Sequence, residues 1–346
     1  MENIIIIAAA LISFLITWGS GFWFIPFLKK LKYGQTILDI GPRWHKNKEG
    51  TPTMGGLMFI LGTLTAVIVA VIVACLSKDN AIYLEITDNG GKNLKLIHIV
   101  SGLIMAIAFA AVGFLDDYIK VVKKRNLGLT AKQKTMMQLI IAAVYLSSLY
   151  FGGMETTYIP FIGDIDITHG FGLIFWPIAL MFIYGFTNAV NLTDGIDGLC
   201  SMVTLVVSAF YILIFASLAF AFTGYMTIAA ALCGGCLGFF LWNMNPAKVF
   251  MGDTGSMFLG GMFVAFSFAS GRPVLLIFSG VLYLVEALSV VIQVSYYKKT
   301  KKRIFKMSPI HHHYEMSGWG ENKIVIVFSL VALIGCSLST IFTIFG

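Results

Sequence analysis

The residues of this chain that could do chemistry are few and fall in short runs. Asp116 and Asp117 lie in GFLDDYIK, Asp194 and Asp197 in NAVNLTDGIDGL, Asp253 in VFMGDTGS, and His311, His312 and His313 in SPIHHHYE. Carboxylates offer hard oxygen to a magnesium-type cation, while imidazoles beside lysines offer charge to phosphate, so the set suits a shared cation and a phosphate-bearing ligand. Neighbouring helical residues point about 100° apart, so Asp116 and Asp117 should address different neighbours, one acting as base while the other orients. Asn191, Asp194 and Asp197 step by three and share a face if their segment is helical. Gly252 to Ser256 reads as a tight turn into a helix start, with free backbone N–H groups for phosphate and Asp253 alongside for a metal. Phe250 either stacks a nucleobase or dips into lipid. Three adjacent histidines cannot all face one ion from a helix, which argues against zinc. The glycine-rich GTPTMGG at 50–56 either approaches a phosphate or packs a helix start. A single helix-end aspartate is commonly a cap or a lysine partner; only their recurrence on one side points to a shared ligand.

The elements that carry these residues are set by composition. Of 346 residues, 58% are hydrophobic and 12% charged, and the mean hydropathy is +0.86, which describes a chain solvated by lipid. The net charge of +7 comes from clusters between apolar runs, where anionic headgroups attract them, so no nucleic-acid partner is expected. Crossing a hydrocarbon core of about 30 Å takes about 20 apolar residues. Ten runs qualify, near 3–27, 55–76, 98–115, 134–151, 171–190, 199–222, 225–242, 256–271, 273–296 and 324–345. All lysines and arginines except Lys78, Lys92, Lys95 and Arg272 fall in alternate loops, which the positive-inside rule makes cytoplasmic. The expectation is one polytopic all-α domain over 1–346, with ten spans, both termini outside and a short outer β-hairpin within 152–170. The five cysteines lack disulfide or metal spacing, and Cys233 and Cys236 read as packing residues. Glu286 falls mid-span, either functional or quietly hydrogen-bonded. Transporters keep their ionic residues near the midplane, whereas these sit at the inner boundary, which disfavours transport.

In order along the chain, GTPTMGG (50–56), LDDYIK (115–120), NAVNLTDGIDGL (188–199), NPAKVFMGDTGS (245–256) and PIHHHYE (309–315) resemble the polyprenyl-phosphate N-acetylhexosamine-1-phosphate transferase superfamily. GTPTMGG and the His311–Glu315 run are similar to its phospho-N-acetylmuramoyl-pentapeptide transferase branch. The resemblance implies an inner-membrane enzyme with a cytoplasmic site, converting UDP-N-acetylmuramoyl-pentapeptide and undecaprenyl phosphate to lipid I and UMP with Mg²⁺. It implies Asp253 as principal magnesium ligand, Asp116 assisting the attacking lipid phosphate, and Asp117 and His311 as further catalytic groups. Uridine recognition would fall to Phe250, Asn243, Asp194, Asn191, Asp197 and Gly252. Diphosphate or sugar contacts would fall to Lys48, Thr53, Ser256, Gln293, His311 and His312, with Lys120 and Lys132 also binding substrate. Membrane lipids and, as an open matter, a second copy in a homodimer complete the expected partners.

Overall fold

The computed structural model describes residues 2–31, 48–78, 80–87, 94–122, 128–218 and 223–345. Parts of the basic segments 28–54 and 116–134, of the outer segment 77–97 and of the 199–222 run lie outside these residues. The helices are α1 (Glu2–Lys30), α2 (Gly56–Ser77), α3 (Ala81–Thr87), α4 (Leu94–Val122), α5 (Ala131–Phe151), α6 (Phe175–Thr193), α7 (Leu199–Ser217), α8 (Thr223–Asn243), α9 (Gly252–Ala269), α10 (Leu275–Ser279), α11 (Val281–Thr300), α12 (Ile310–Glu315) and α13 (Glu321–Phe345). Nine of the described helices are long and apolar enough to cross a membrane. Large apolar side chains such as Leu11, Phe22, Ile140, Leu288 and Leu333 point outward, as they must where the solvent is hydrocarbon. The protein is an all-α integral membrane protein.

Helix α9, the counterpart of the 256–271 run, is the axis of the bundle. From Thr254 to Phe268 every residue is buried, because α9 packs against α2, α4, α6 and α7. Between membrane helices small residues allow the backbones close enough for dispersion to hold them. Gly255 meets Gly56 of α2, Gly261 meets Ala106 of α4, and Gly113 of α4 lies on the Asp253 carbonyl, with no room for a Cβ at any of them.

Hydrogen bonds assign the helix ends. The ends of α4, α6 and α8 and the starts of α2, α5, α7, α9 and α13 gather at the end that holds the acids. At the other end, Glu2 accepts from the Ala81 N–H, and Phe161 packs on Phe342. Both described chain ends therefore lie opposite the acids. Since α8 finishes at the acid end and α11 returns to it, α9 must traverse between them. The expected single run at 273–296 is broken into α10 and α11 at Gly280, which packs against Phe186. The hairpin forms at the far end: β1 (Thr156–Ile159) pairs antiparallel with β2 (Gly163–Asp166). It is tied down by Tyr158 N–H to the Gly271 carbonyl (2.8 Å) and by the Arg272 guanidinium 4.1 Å over the Tyr158 ring. Cys233 and Cys236 are free thiols within α8.

Candidate active site

The start of α9 is finished by another helix. A helix leaves its first N–H groups without internal partners, and here Asp117 of α4 accepts them: Oδ1 from the Asp253 N–H (3.3 Å), Oδ2 from the Thr254 N–H (3.0 Å) and hydroxyl (2.8 Å). Gly252 makes this fit, with φ at +72° and a Cβ position only 2.5 Å from Asp117 Oδ2. Two of the N–H groups expected to be free for phosphate, those of Asp253 and Thr254, are thus already taken, since a buried carboxylate and bare donors at this depth satisfy one another.

Around this cap the other charges close in. Asp116 accepts from the Leu129 N–H (2.8 Å) and pairs with Lys120 (2.6 Å). Asp253 pairs with Lys134 (2.8 Å) and Lys120 (3.3 Å) and accepts from the Asn191 amide (2.9 Å), which also donates to Ser256. One oxygen each from Asp116, Asp117 and Asp253 lies within 4.8 Å of the others. The two neighbouring aspartates do diverge in partners, yet both keep an oxygen in one cluster. Three carboxylates against two ammonium groups leave negative charge on an all-oxygen donor set, which fits a hard divalent cation. Burial first, then the charges of Asp253, Asp117 and Asp197, hold the nearby Asp194 carboxyl well above the usual carboxylate range.

Lys132 is expected to bind substrate, yet Lys134 is the α5 lysine that reaches the cluster. Thr130 and Gln133 form a capping box that starts α5 at Ala131, so positions two apart face opposite sides. Lys132 accordingly lines an apolar groove with Met136, Leu139 and Leu180. The capping box was the readable signal for this register.

Asn191, Asp194 and Asp197 do not share a helix face, because α6 ends at Thr193 and the chain turns through Gly195 and Gly198, the latter at φ +77°. Asp197 faces elsewhere: Lys48 (2.7 Å), the Asn245 amide (3.1 Å) and the Ala247 N–H (2.9 Å) bond its carboxylate, and Lys48 also holds Glu321 (2.7 Å). Asn243 is likewise engaged internally, accepting from Gly198 and Ser201 and donating to the Val249 carbonyl. Gln293 pins the chain at Ile304 and Phe305. Glycines 55 and 56 donate to the Phe250 and Met251 carbonyls, and the Phe250 N–H returns to Pro52, so GTPTMGG packs on the segment before α9 and keeps Thr53 beside Gly252. Phe250 is half-buried. The three histidines take three separate partners: Glu286, Glu315 and the Lys306 N–H.

Comparison with known proteins places this arrangement. The model described as "Glycosyl transferase family 4" matches residues 99–271, and the phospho-N-acetylmuramoyl-pentapeptide-transferase signature 1 matches 48–60. Relatives named phospho-N-acetylmuramoyl-pentapeptide-transferase include those of Carboxydothermus hydrogenoformans, 45% identical over 95% of each chain, and Clostridioides difficile, 43% identical over 96% of each. That of Listeria welshimeri is 42% identical over 100% of both chains. The chain belongs to the phospho-N-acetylmuramoyl-pentapeptide transferase family. The broad family match spans the acid cluster, Asn191 and the Asp197 hub. The narrower signature falls on Lys48 to Ile60, the segment zipped against Phe250 and Met251. The histidine run lies beyond both.

Proposed function

We propose that this protein transfers phospho-N-acetylmuramoyl-pentapeptide from its UDP conjugate to undecaprenyl phosphate, forming lipid I and UMP, the first membrane step of peptidoglycan synthesis. The observation that carries the reading is the convergence of Asp116, Asp117 and Asp253 with Lys120 and Lys134 at one end of the membrane helices. An anionic lipid phosphate meeting a diphosphate concentrates negative charge that must be neutralised. Magnesium, held by Asp253 with Asp116 and Asp117 beside it, would supply Lewis-acid stabilisation of that charge.

The chain's own groups do the rest. Lys120 and Lys134 bring the nearest positive charge to the phosphate oxygens. Asp116 orients Lys120 and with it the attacking lipid phosphate; a phosphate monoester is already largely ionised at neutral pH, so no proton need be taken from it. Asp117 holds α9 in place, keeping Asp253 aligned. Phe250 stacks the uracil, with Asn191, Asp194 and Gly252 bordering it and Asn243 and Asp197 bracing the loop beneath. Thr53, Ser256, His311 and His312 face the diphosphate and sugar, while Lys48 and Gln293 fix the segments that bear on them. The lysine and arginine distribution supports a bacterial plasma-membrane location with the acid end toward the cytoplasm.

The deciding experiment incubates purified protein with radiolabelled UDP-N-acetylmuramoyl-pentapeptide. Labelled lipid and UMP should appear only with undecaprenyl phosphate and Mg²⁺ together. Absence of UMP with both substrates and Mg²⁺ present would sink the assignment, whereas UMP and labelled protein without lipid would reveal a two-step route.

A further inference from the structure

Glu286 lies in the second turn of α11 and is fully buried, yet among the described residues its carboxylate has no lysine or arginine partner. Its side-chain partners among the described residues are both on His311: Nδ1 at 3.0 Å and the backbone N–H at 3.5 Å. A carboxylate at such a place is costly, and an apolar side chain of the same volume would avoid that cost unless the oxygen has a task. His311 is also fully buried. Its Nε2 has no hydrogen-bond partner among the described residues, and this edge of the ring lies against Gly195, where a Cβ would collide with Nε2 and Cε1. Gly195 is exposed and follows Asp194, whose carboxyl feels the charges of Asp253 and Asp117. His312 and His313 differ in kind, for their Nδ1 atoms are satisfied three and seven residues away.

We propose that Glu286 is a positioning residue for His311: accepting the Nδ1 proton, it fixes the tautomer and ring angle so that Nε2 stays directed at the Asp194–Gly195 turn beside the carboxylate cluster. Imidazoles that act on a ligand through one nitrogen are commonly held in this way through the other. Gly195 is the second half of the device, since only a residue without a side chain leaves room for that edge of the ring. The proposal rests on the transferase reading above.

The test compares Glu286→Leu, Glu286→Gln and Gly195→Ala in the full chain, by 15N-histidine NMR and by separate kcat and KM values. His311→Gln assigns the resonances. Glu286→Leu should lose the Nδ1 proton signal of His311 and lower kcat about 10- to 100-fold, with KM for the UDP substrate little changed. Glu286→Gln keeps an acceptor and should restore both signal and most of kcat. Gly195→Ala, which removes no polar group and sits on an exposed turn, should keep the Nδ1 proton, shift the ring resonances and lower kcat. Equal losses in the Gln and Leu variants, or a Leu variant with unchanged kcat, would overturn the proposal. The NMR readout needs no turnover, so a wrong transferase assignment and a wrong role for Glu286 give different results.

Discussion

Asp253 and Asp197 lie at the same end of the molecule and each binds a lysine, but the rest of their surroundings differ. Asp253 is bonded by two lysines and one amide, all side chains that can exchange one anionic partner for another. Asp197 is bonded by Lys48, by the Asn245 side chain and by the Ala247 backbone, while its own N–H goes to Glu321, so it ties the α6–α7 turn, the segment before α2 and the start of α13 into one corner. The same residue type is held by side-chain cations and an amide at one position, and by a lysine, a backbone N–H and a loop amide at the other. On the proposed function, partner chemistry, more than burial or charge, would separate a working carboxylate at Asp253 from a bracing one at Asp197.

The comparison breaks first at Asp253. Asp253→Asn should cut UMP release by about 10³-fold or more with a near-normal melting temperature, as expected where charge stabilisation is lost from a reacting centre. Full magnesium-dependent turnover in that variant would remove Asp253 from the metal site. Next, Lys134→Met should lower turnover by about 10- to 100-fold, on the scale of one lost electrostatic contact. Lys132→Met should stay within a few-fold, and the opposite ranking would mean that the groove-facing lysine is the one that matters. Asp197→Asn should act mainly on stability, costing about 2–3 kcal/mol by leaving Lys48 half-paired and the loop N–H groups weakly bound. Thermal unfolding in detergent tests this, and a normal melting temperature with lost turnover would move Asp197 to the reactive group.

The smallest effect is on pH. The Asp194 carboxyl is held above its ordinary range by burial and by neighbouring carboxylates, so the folded state binds this proton more tightly than the unfolded chain. Its contribution to stability is complete below the unfolded pKa and is lost as pH rises through the raised folded value. Metal-free protein should therefore melt at a lower temperature as pH climbs through that window, and Asp194→Asn should flatten the slope. An identical slope in the variant would place the titration elsewhere.

Much of this was open to inspection in the primary structure, for definite reasons. Lipid cannot hydrogen-bond the backbone, so each crossing must be written out as a long apolar run; nine of the described helices are long and apolar enough to cross, and the expected 273–296 run is divided at Gly280. Turn chemistry at 152–170 announced the hairpin, and the sidedness of the acids followed from alternation. Side-chain direction was less accessible. Asp117 as the cap of α9 needed the two helices side by side, and the pairing of Glu286 with His311 spans 25 residues and two elements.

By itself, then, the sequence determined the membrane environment, the order of the apolar runs and which short runs meet at one boundary, because these depend on local hydropathy and charge. Tertiary structure alone decided which oxygen faces which proton: Lys134 over Lys132, a loop in place of a shared helical face at Asn191 to Asp197, and an occupied helix start at α9. Those outcomes turn on ångström-scale packing between helices, where one glycine more or less changes what two backbones can approach.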